Sequence, residues 1–235
     1  MSRLVIAGGG FAGFWAAAAA ARVRRETPSL ASLEILLISR DDRLVIRPRL
    51  YEPNPVRMAV PLIPRLEAIG VRFEQGEIAS IDVVKGAIHA GDPISYDRLV
   101  LATGSQLARP AGLPGFDIDT LPGATALDRH LHTLREFPDS EGRWTVVIAG
   151  GGFTGIELAT ALPERLSALA GSPAKVRVIV VDPVGLIGAS LGDGPSPAIQ
   201  EALNAANIET RTGVTISSVD DTFVELSSGE RISCH

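Results

Sequence analysis

Two short stretches carry residue types whose spacing could do chemistry. Residues 5–13 read VIAGGGFAG and residues 147–155 read VIAGGGFTG, identical at eight of nine positions. In each, the glycines follow the spacing G-x-G-x-x-G: Gly8, Gly10 and Gly13, then Gly150, Gly152 and Gly155. The first glycine of such a run permits a tight turn. The second lets a pyrophosphate approach the backbone, and the third lets a helix pack closely on a strand. The phosphates then rest on the unpaired N–H groups at the positive end of the helix.

That chemistry needs a strand before each turn and a helix after it. Leu4-Val5-Ile6 is a short β-rich run, and FWAAAAAARVRR beyond the glycines is alanine-rich and helical. From Leu4 to Ala21 there are eighteen residues without a charge. The three glycines in the middle divide that stretch into strand, turn and helix and argue against a signal peptide or a membrane span. Trp144–Ile148 is the strand of the second copy, and 156–169 carries helical spacing with Pro163 as a kink or restart. Glu157 is expected in the first turn of that helix, where the dipole favours a carboxylate.

A dinucleotide-binding unit should also present an acid where its second strand ends, to accept a hydrogen bond from the adenosine ribose. Val176–Val181 leads into Asp182, which would accept from a 2′-hydroxyl and repel a 2′-phosphate, favouring NADH over NADPH. Leu33–Ile38 leads instead into Ser39 and Arg40, followed by Asp41, Asp42 and Arg43, which read as a loop. Ser39 can donate or accept one hydrogen bond, and the first site is the weaker match at the ribose.

Between the units lies the proline-rich RPRLYEPNPVRMAVPLIPRLEAIG. After it, Val71-Arg72-Phe73-Glu74 and short runs around Ile78, Ile81, Val83 and Ile88 read as a small antiparallel excursion. Tyr96–Gly104, YDRLVLATG, reads as a buried strand ending in Ala-Thr-Gly, and residues 108–117, ARPAGLPGFD, as a linker.

Composition narrows the function classes. The chain has 235 residues, a net charge of −5 and one cysteine, Cys234. There is no basic surplus for a nucleic-acid footprint, no disulfide framework and no cysteine pair for zinc. His130 and His132 are two apart and would face different ways on a helix, so no metal site is expected. Arg22, Arg24 and Arg25 read as a solvated helix end. No Walker lysine, Ser-His-Asp spacing or hydrolytic carboxylate pair is present.

The order of parts resembles the two-dinucleotide flavoproteins of the pyridine nucleotide-disulfide oxidoreductase superfamily: glycine fingerprint, Leu-Tyr-Glu loop, β excursion, YDRLVLATG, proline linker, second fingerprint and acid. Within it, VIAGGGFAG, RPRLYE and GGGFTGIELA are most similar to type II NADH dehydrogenases. The fold implied is α/β, with two Rossmann-like units built on parallel sheets and a small antiparallel excursion. Residues 1–108 would form an FAD-type domain and residues 109–235 an NAD(H)-type domain.

The resemblance implies that Gly8, Gly10, Phe11, Ala12 and Gly13 hold the FAD pyrophosphate. Ser39 and Arg40 would lie at the ribose, Ile78 would give a backbone contact to adenine, and Thr103 and Gly104 would help close the flavin site. Gly150, Gly152, Phe153, Thr154, Gly155 and Asp182 would hold NAD(H), and Glu157 would position the nicotinamide or handle a proton. Hydride would pass from NADH to flavin and electrons onward to a quinone-like acceptor.

The superfamily's redox cysteine pair is absent, which rules out its dithiol branch. The family's return segment and C-terminal domain would follow His235, so the resemblance implies a fragment or a shortened protein. It also implies membrane contact only through that missing region, in a cytoplasmic protein peripheral to the inner face of the membrane. The sheet edge so exposed would invite association into a homo-oligomer. An alternative from another class stays open: a non-catalytic dinucleotide-binding module that senses redox state or docks a partner.

Overall fold

A computed structural model describes residues 2–107, 112–172, 175–192 and 194–235. The chain forms two compact units, one of Met1–Ile46 with Arg57–Leu107 and one of Arg47–Val56 with Ala108–His235. The sequence-based boundary between 108 and 109, and the first residues of the linker, lie outside the described residues.

In the first unit β1 (Arg3–Ala7) runs through the glycine turn into α1 (Phe11–Glu26), and β2 (Glu34–Ser39) returns parallel to β1. A hairpin of β3 (Arg43–Val45) and β4 (Ala59–Pro61) and a short α2 (Ile63–Glu67) follow. Next come β5 (Arg72–Gln75), β6 (Ser80–Asp82), β7 (Ala87–His89), β8 (Pro93–Ser95) and β9 (Arg98–Leu101). The main sheet has the order β5-β2-β1-β9 and is parallel throughout, while β6, β7 and β8 form a separate antiparallel sheet.

Alternation along β1 and β2 splits their side chains between two cores. Ile6, Ile35 and Leu37 pack on one face with Ala17 and Ala21 of α1 and with Leu62 and Leu66. Val5, Ala7, Leu36 and Ile38 pack on the other with Ile88 of β7 and with Ile81, Ile94 and Tyr96. Small residues at Gly13, Ala17 and Ala21, one turn apart, let α1 lie close to the strands. Each fully buried Leu or Ile contributes about 1.5–3 kcal/mol.

The second unit contains α3 (Leu121–Thr133), β10 (Thr145–Ala149), α4 (Phe153–Ala170), β11 (Arg177–Asp182), α5 (Ser196–Ala205), β12 (Glu209–Thr212), β13 (Ile216–Val219), β14 (Phe223–Leu226) and β15 (Arg231–Ser233). Strands β10, β11 and β12 form a parallel sheet in that order. The antiparallel sheet β13-β14-β15 covers one face of it, with Val224, Leu226, Ile232 and Cys234 packed on Ile179 and Val181.

Five readings from the sequence are corrected. Residues 72–75 belong to the parallel sheet as β5, not to the antiparallel excursion, because they pair with β2 along its free side. The strand before Ala-Thr-Gly is an edge, not buried: β9 pairs with β1, and Leu101 is 64% exposed. Arg24 is no solvated end, since its guanidinium donates to the carbonyls of Leu33, Ile69 and Gly70. Arg43 leaves its loop to open β3. Pro163 does not restart the helix, since α4 runs unbroken from Phe153 to Ala170 with Pro163 inside it.

Candidate functional site

Both glycine turns adopt one geometry. Gly8 has φ +116° and Gly150 φ +105°, a region that side chains rarely enter. The Gly8 N–H donates to the Ile38 carbonyl at 2.8 Å, and the Gly150 N–H to the Val181 carbonyl at 2.8 Å. Gly10 caps α1 with φ −74° and ψ −171°, and Gly152 caps α4 with φ −80° and ψ −173°. A Cβ on Gly13 would overlap the Gly8 carbonyl oxygen, and one on Gly155 would overlap that of Gly150. These glycines are needed for packing alone.

The middle glycines are different. Nothing lies within 4 Å of where a Cβ on Gly10 or Gly152 would stand, so the turn is open on that side. Neither helix has a side-chain cap or an acid in its first turn. Its leading N–H groups and the positive end of its dipole are left for an anion. A diphosphate matches such a cradle in charge and donor type.

The strand ends then distinguish the two sites. Ser39 ends β2 beside Gly9, whose Cβ would come within 2.6 Å of the Ser39 Oγ. Asp182 ends β11 in the same place, 3.1 Å from the position of a Cβ on Gly151. Its Oδ2 accepts the Gly151 N–H at 2.6 Å and its Oδ1 accepts the Val184 N–H at 2.8 Å. Each carboxylate oxygen keeps capacity for a further donor.

Around the first turn, Phe11 and Ala12 lie exposed at the start of α1. Ala102 and Thr103 pass directly against Gly8, and Gly104 follows with φ +76°. The Arg40 guanidinium meets Asp41 at 3.4 Å with about two-thirds of each side chain exposed, while Gln75 Nε2 donates to the Arg40 carbonyl. Ile78 packs on the cluster of Val5, Ala7, Leu36, Ile38 and Ile88.

Around the second turn the chain after β11 folds back, and the Gly188 N–H donates to the Gly151 carbonyl at 2.9 Å. A cavity of about 340 Å³ opens in this unit between Phe153, Thr154 and Glu157 of α4 and Arg47, Pro48, Tyr51, Ile118 and Asp119. Arg47 and Asp119 are ion-paired on its wall. Asp119 is held in place by Asp117, whose Oδ1 accepts from the N–H groups of Asp119 and Thr120 and from the Thr120 hydroxyl. Thr120 in turn caps α3 at Gly123.

Glu157 is exposed, and its carboxylate is the fifth residue of α4, not part of the first turn. The helix begins at Phe153, three residues before the apolar run that suggested its start, so the dipole gives Glu157 little. The sequence reading missed Arg47, Tyr51 and Asp119 as cavity residues. The RPRLYE motif was the one visible signal for Arg47 and Tyr51, and Asp119 had none.

Arg165 fixes α4 to α3 through an ion pair with Asp128. Burial lowers the pKa of Arg165, and the Asp128 carboxylate opposes that shift. Among the described residues, no three His, Cys, Asp or Glu side chains gather as a metal cluster, and no helix is long and apolar enough to cross a membrane.

Comparison with known proteins decides the family. Residues 2–235 match the family model described as pyridine nucleotide-disulphide oxidoreductase. The chain belongs to that family. An NADH dehydrogenase-like protein of Mycobacterium tuberculosis is 40% identical over 243 residues, covering 99% of this chain and 60% of the relative. The demethylphylloquinone reductase of Synechocystis is 31% identical over 247 residues, covering 97% of this chain and 58% of its own length.

The sulfide:quinone oxidoreductase of Aquifex aeolicus superposes with a TM-score of 0.79 at 24% identity, over all of this chain and 57% of that one. The chain thus spans about 60% of the length of these curated relatives. The α/β architecture of two Rossmann-like units is that of the pyridine nucleotide-disulphide oxidoreductases, and FAD and NAD(H) are the cofactors this family membership brings.

Proposed function

We propose that the first unit binds FAD, that the second binds NADH, and that the protein oxidises NADH through the flavin and passes the electrons to a quinone-like acceptor. One observation carries this reading: the same open glycine turn is built twice, and only the second copy is joined to a strand-end carboxylate, Asp182. Relatives named as NADH dehydrogenase-like and as a quinone reductase support the direction of electron flow. Residues 1–108 and 109–235 are the corresponding domains.

In this reading Gly10 and Gly152 leave room for a pyrophosphate, and the N–H groups around Phe11, Ala12 and Gly13, and around Phe153, Thr154 and Gly155, bind it. Gly8 and Gly150 shape the turns. Asp182 accepts from the 2′-hydroxyl of the NADH ribose and repels a 2′-phosphate. Ser39 and Arg40 meet the FAD ribose, the Ile78 backbone meets adenine, and Thr103 and Gly104 close the flavin side. Bound together, flavin and nicotinamide supply the hydride chemistry themselves. The protein orients the reacting rings and excludes water.

The cavity beside Glu157 supports the nicotinamide end, with Glu157 as the group that positions the ring or carries a proton. Membrane attachment at the inner face of a cytoplasmic membrane follows from the quinone acceptor.

The test is an anaerobic titration of the purified, FAD-loaded protein, followed by flavin absorption. NADH should bleach the flavin at far lower concentration than NADPH, and a soluble quinone should restore the colour. A protein that retains no flavin, or whose flavin NADH leaves oxidised, sinks the reading. Tight NADH binding without oxidation by any acceptor would instead identify a sensing or docking module.

A further inference from the structure

The two turns share their glycine dihedrals and their bracing hydrogen bonds, but the groups at their strand ends have opposite electrostatic character. Asp182 is followed by Pro183, so the second strand end carries a carboxylate and no cation beside it in sequence. Ser39 is followed by Arg40, so the first presents a hydroxyl and then a guanidinium. The Ser39 hydroxyl occupies the position of the Asp182 carboxylate beside the turn. No carboxylate stands at the strand end itself; the nearest acids that follow it in sequence, Asp41 and Asp42, come after Arg40.

The charges next to Arg40 leave it available. Its contact with Asp41 is 3.4 Å long and mostly solvent-exposed on both sides, a pair worth little in water. The Asp42 carbonyl accepts the Leu62 N–H, and Arg43 Nη1 is turned to the Ala59 carbonyl at 3.5 Å. A phosphomonoester carries a charge of about −1.5 to −2 and binds a guanidinium through two parallel hydrogen bonds. It would outcompete the single Asp41 carboxylate.

We propose that the first unit also accepts adenine nucleotides phosphorylated at the 2′-hydroxyl, held by Ser39 and Arg40, and that these compete with FAD for the same glycine turn. The proposal rests on the reading that the first turn holds the FAD pyrophosphate. It gives the two sites opposite ligand preferences. The 2′-phosphorylated class excluded by Asp182 is selected by Ser39 and Arg40.

The apparent FAD affinity of the full chain, stripped of flavin, can be measured by flavin fluorescence anisotropy with ADP-ribose or 2′-phospho-ADP-ribose present. Occupation of the second unit by either competitor leaves this signal unchanged. The phosphorylated compound should weaken FAD binding at a concentration at least tenfold lower than ADP-ribose. Arg40→Ala, at an exposed side chain, should bring the two within about twofold, and Ser39→Asp should reverse their order. Equal competition in the unaltered protein, with FAD binding normally, overturns the proposal alone. An anisotropy that never rises with FAD overturns the reading of the first unit and this proposal with it.

Discussion

The Asp182 carboxylate reaches across the second turn to the Gly151 N–H at 2.6 Å, so the group that would read the ribose also braces the loop that would read the phosphates. Its other oxygen holds Val184 at 2.8 Å. Asp182→Asn keeps the size but turns one acceptor into a donor, which then faces a backbone N–H. Leaving such a group unpaired costs about 1–3 kcal/mol. The variant should melt at lower temperature, bind NADH at least tenfold more weakly and lose most of its preference over NADPH. Calorimetric Kd values for both nucleotides check this, and unchanged selectivity would count against a ribose-reading role.

The glycines separate into two classes that substitution can distinguish. Gly10→Ala and Gly152→Ala place a methyl in open space at ordinary φ, so the fold should be stable while pyrophosphate is pushed away. Gly13→Ala and Gly155→Ala drive a methyl into the carbonyl of Gly8 or Gly150. These should cost about 1–3 kcal/mol or more in stability, because a packed backbone cannot yield cheaply. Thermal melts paired with FAD and NADH binding would show binding loss without destabilisation in the first pair and both losses in the second. Equal destabilisation in all four variants would refute the distinction.

Acid should weaken both units through two glutamates. The Arg3 guanidinium, hydrogen-bonded to Glu34 and aided by Arg72, holds that carboxyl below its ordinary range. Arg177, aided by Arg211, does the same for Glu209. A carboxyl whose pKa is lower in the folded state adds stability above its unfolded value of about 4.3 and loses it as pH falls through the folded value. Denaturant midpoints should hold steady from neutral pH to near 5 and fall below about 4.3. The fall should be shallower in Glu34→Gln and Glu209→Gln, whose neutral-pH midpoints start lower. Identical acid profiles in wild type and variants would remove these pairs from the account.

What could be read in advance was what depends on neighbours in sequence. The paired turns were legible because Gly8 and Gly13, or Gly150 and Gly155, constrain one another within a few residues, and Asp182 because a strand leads straight into it. Residues 72–75 were misplaced because a short apolar run does not name its partner, and only the free side of β2 makes it parallel. Arg24 looked solvated because its partners, the carbonyls of Leu33, Ile69 and Gly70, come from two remote segments. The hairpin of β3 and β4 was hidden among prolines, and the cavity residues Arg47 and Asp119 meet across a long gap in the chain.

Building the same turn twice gives the molecule an internal control. Temperature, salt, concentration and preparation are shared by both copies, so a difference between their responses to a matched pair of nucleotides reports on the residues by which the strand ends part company, Ser39 and Arg40 against Asp182 and Pro183.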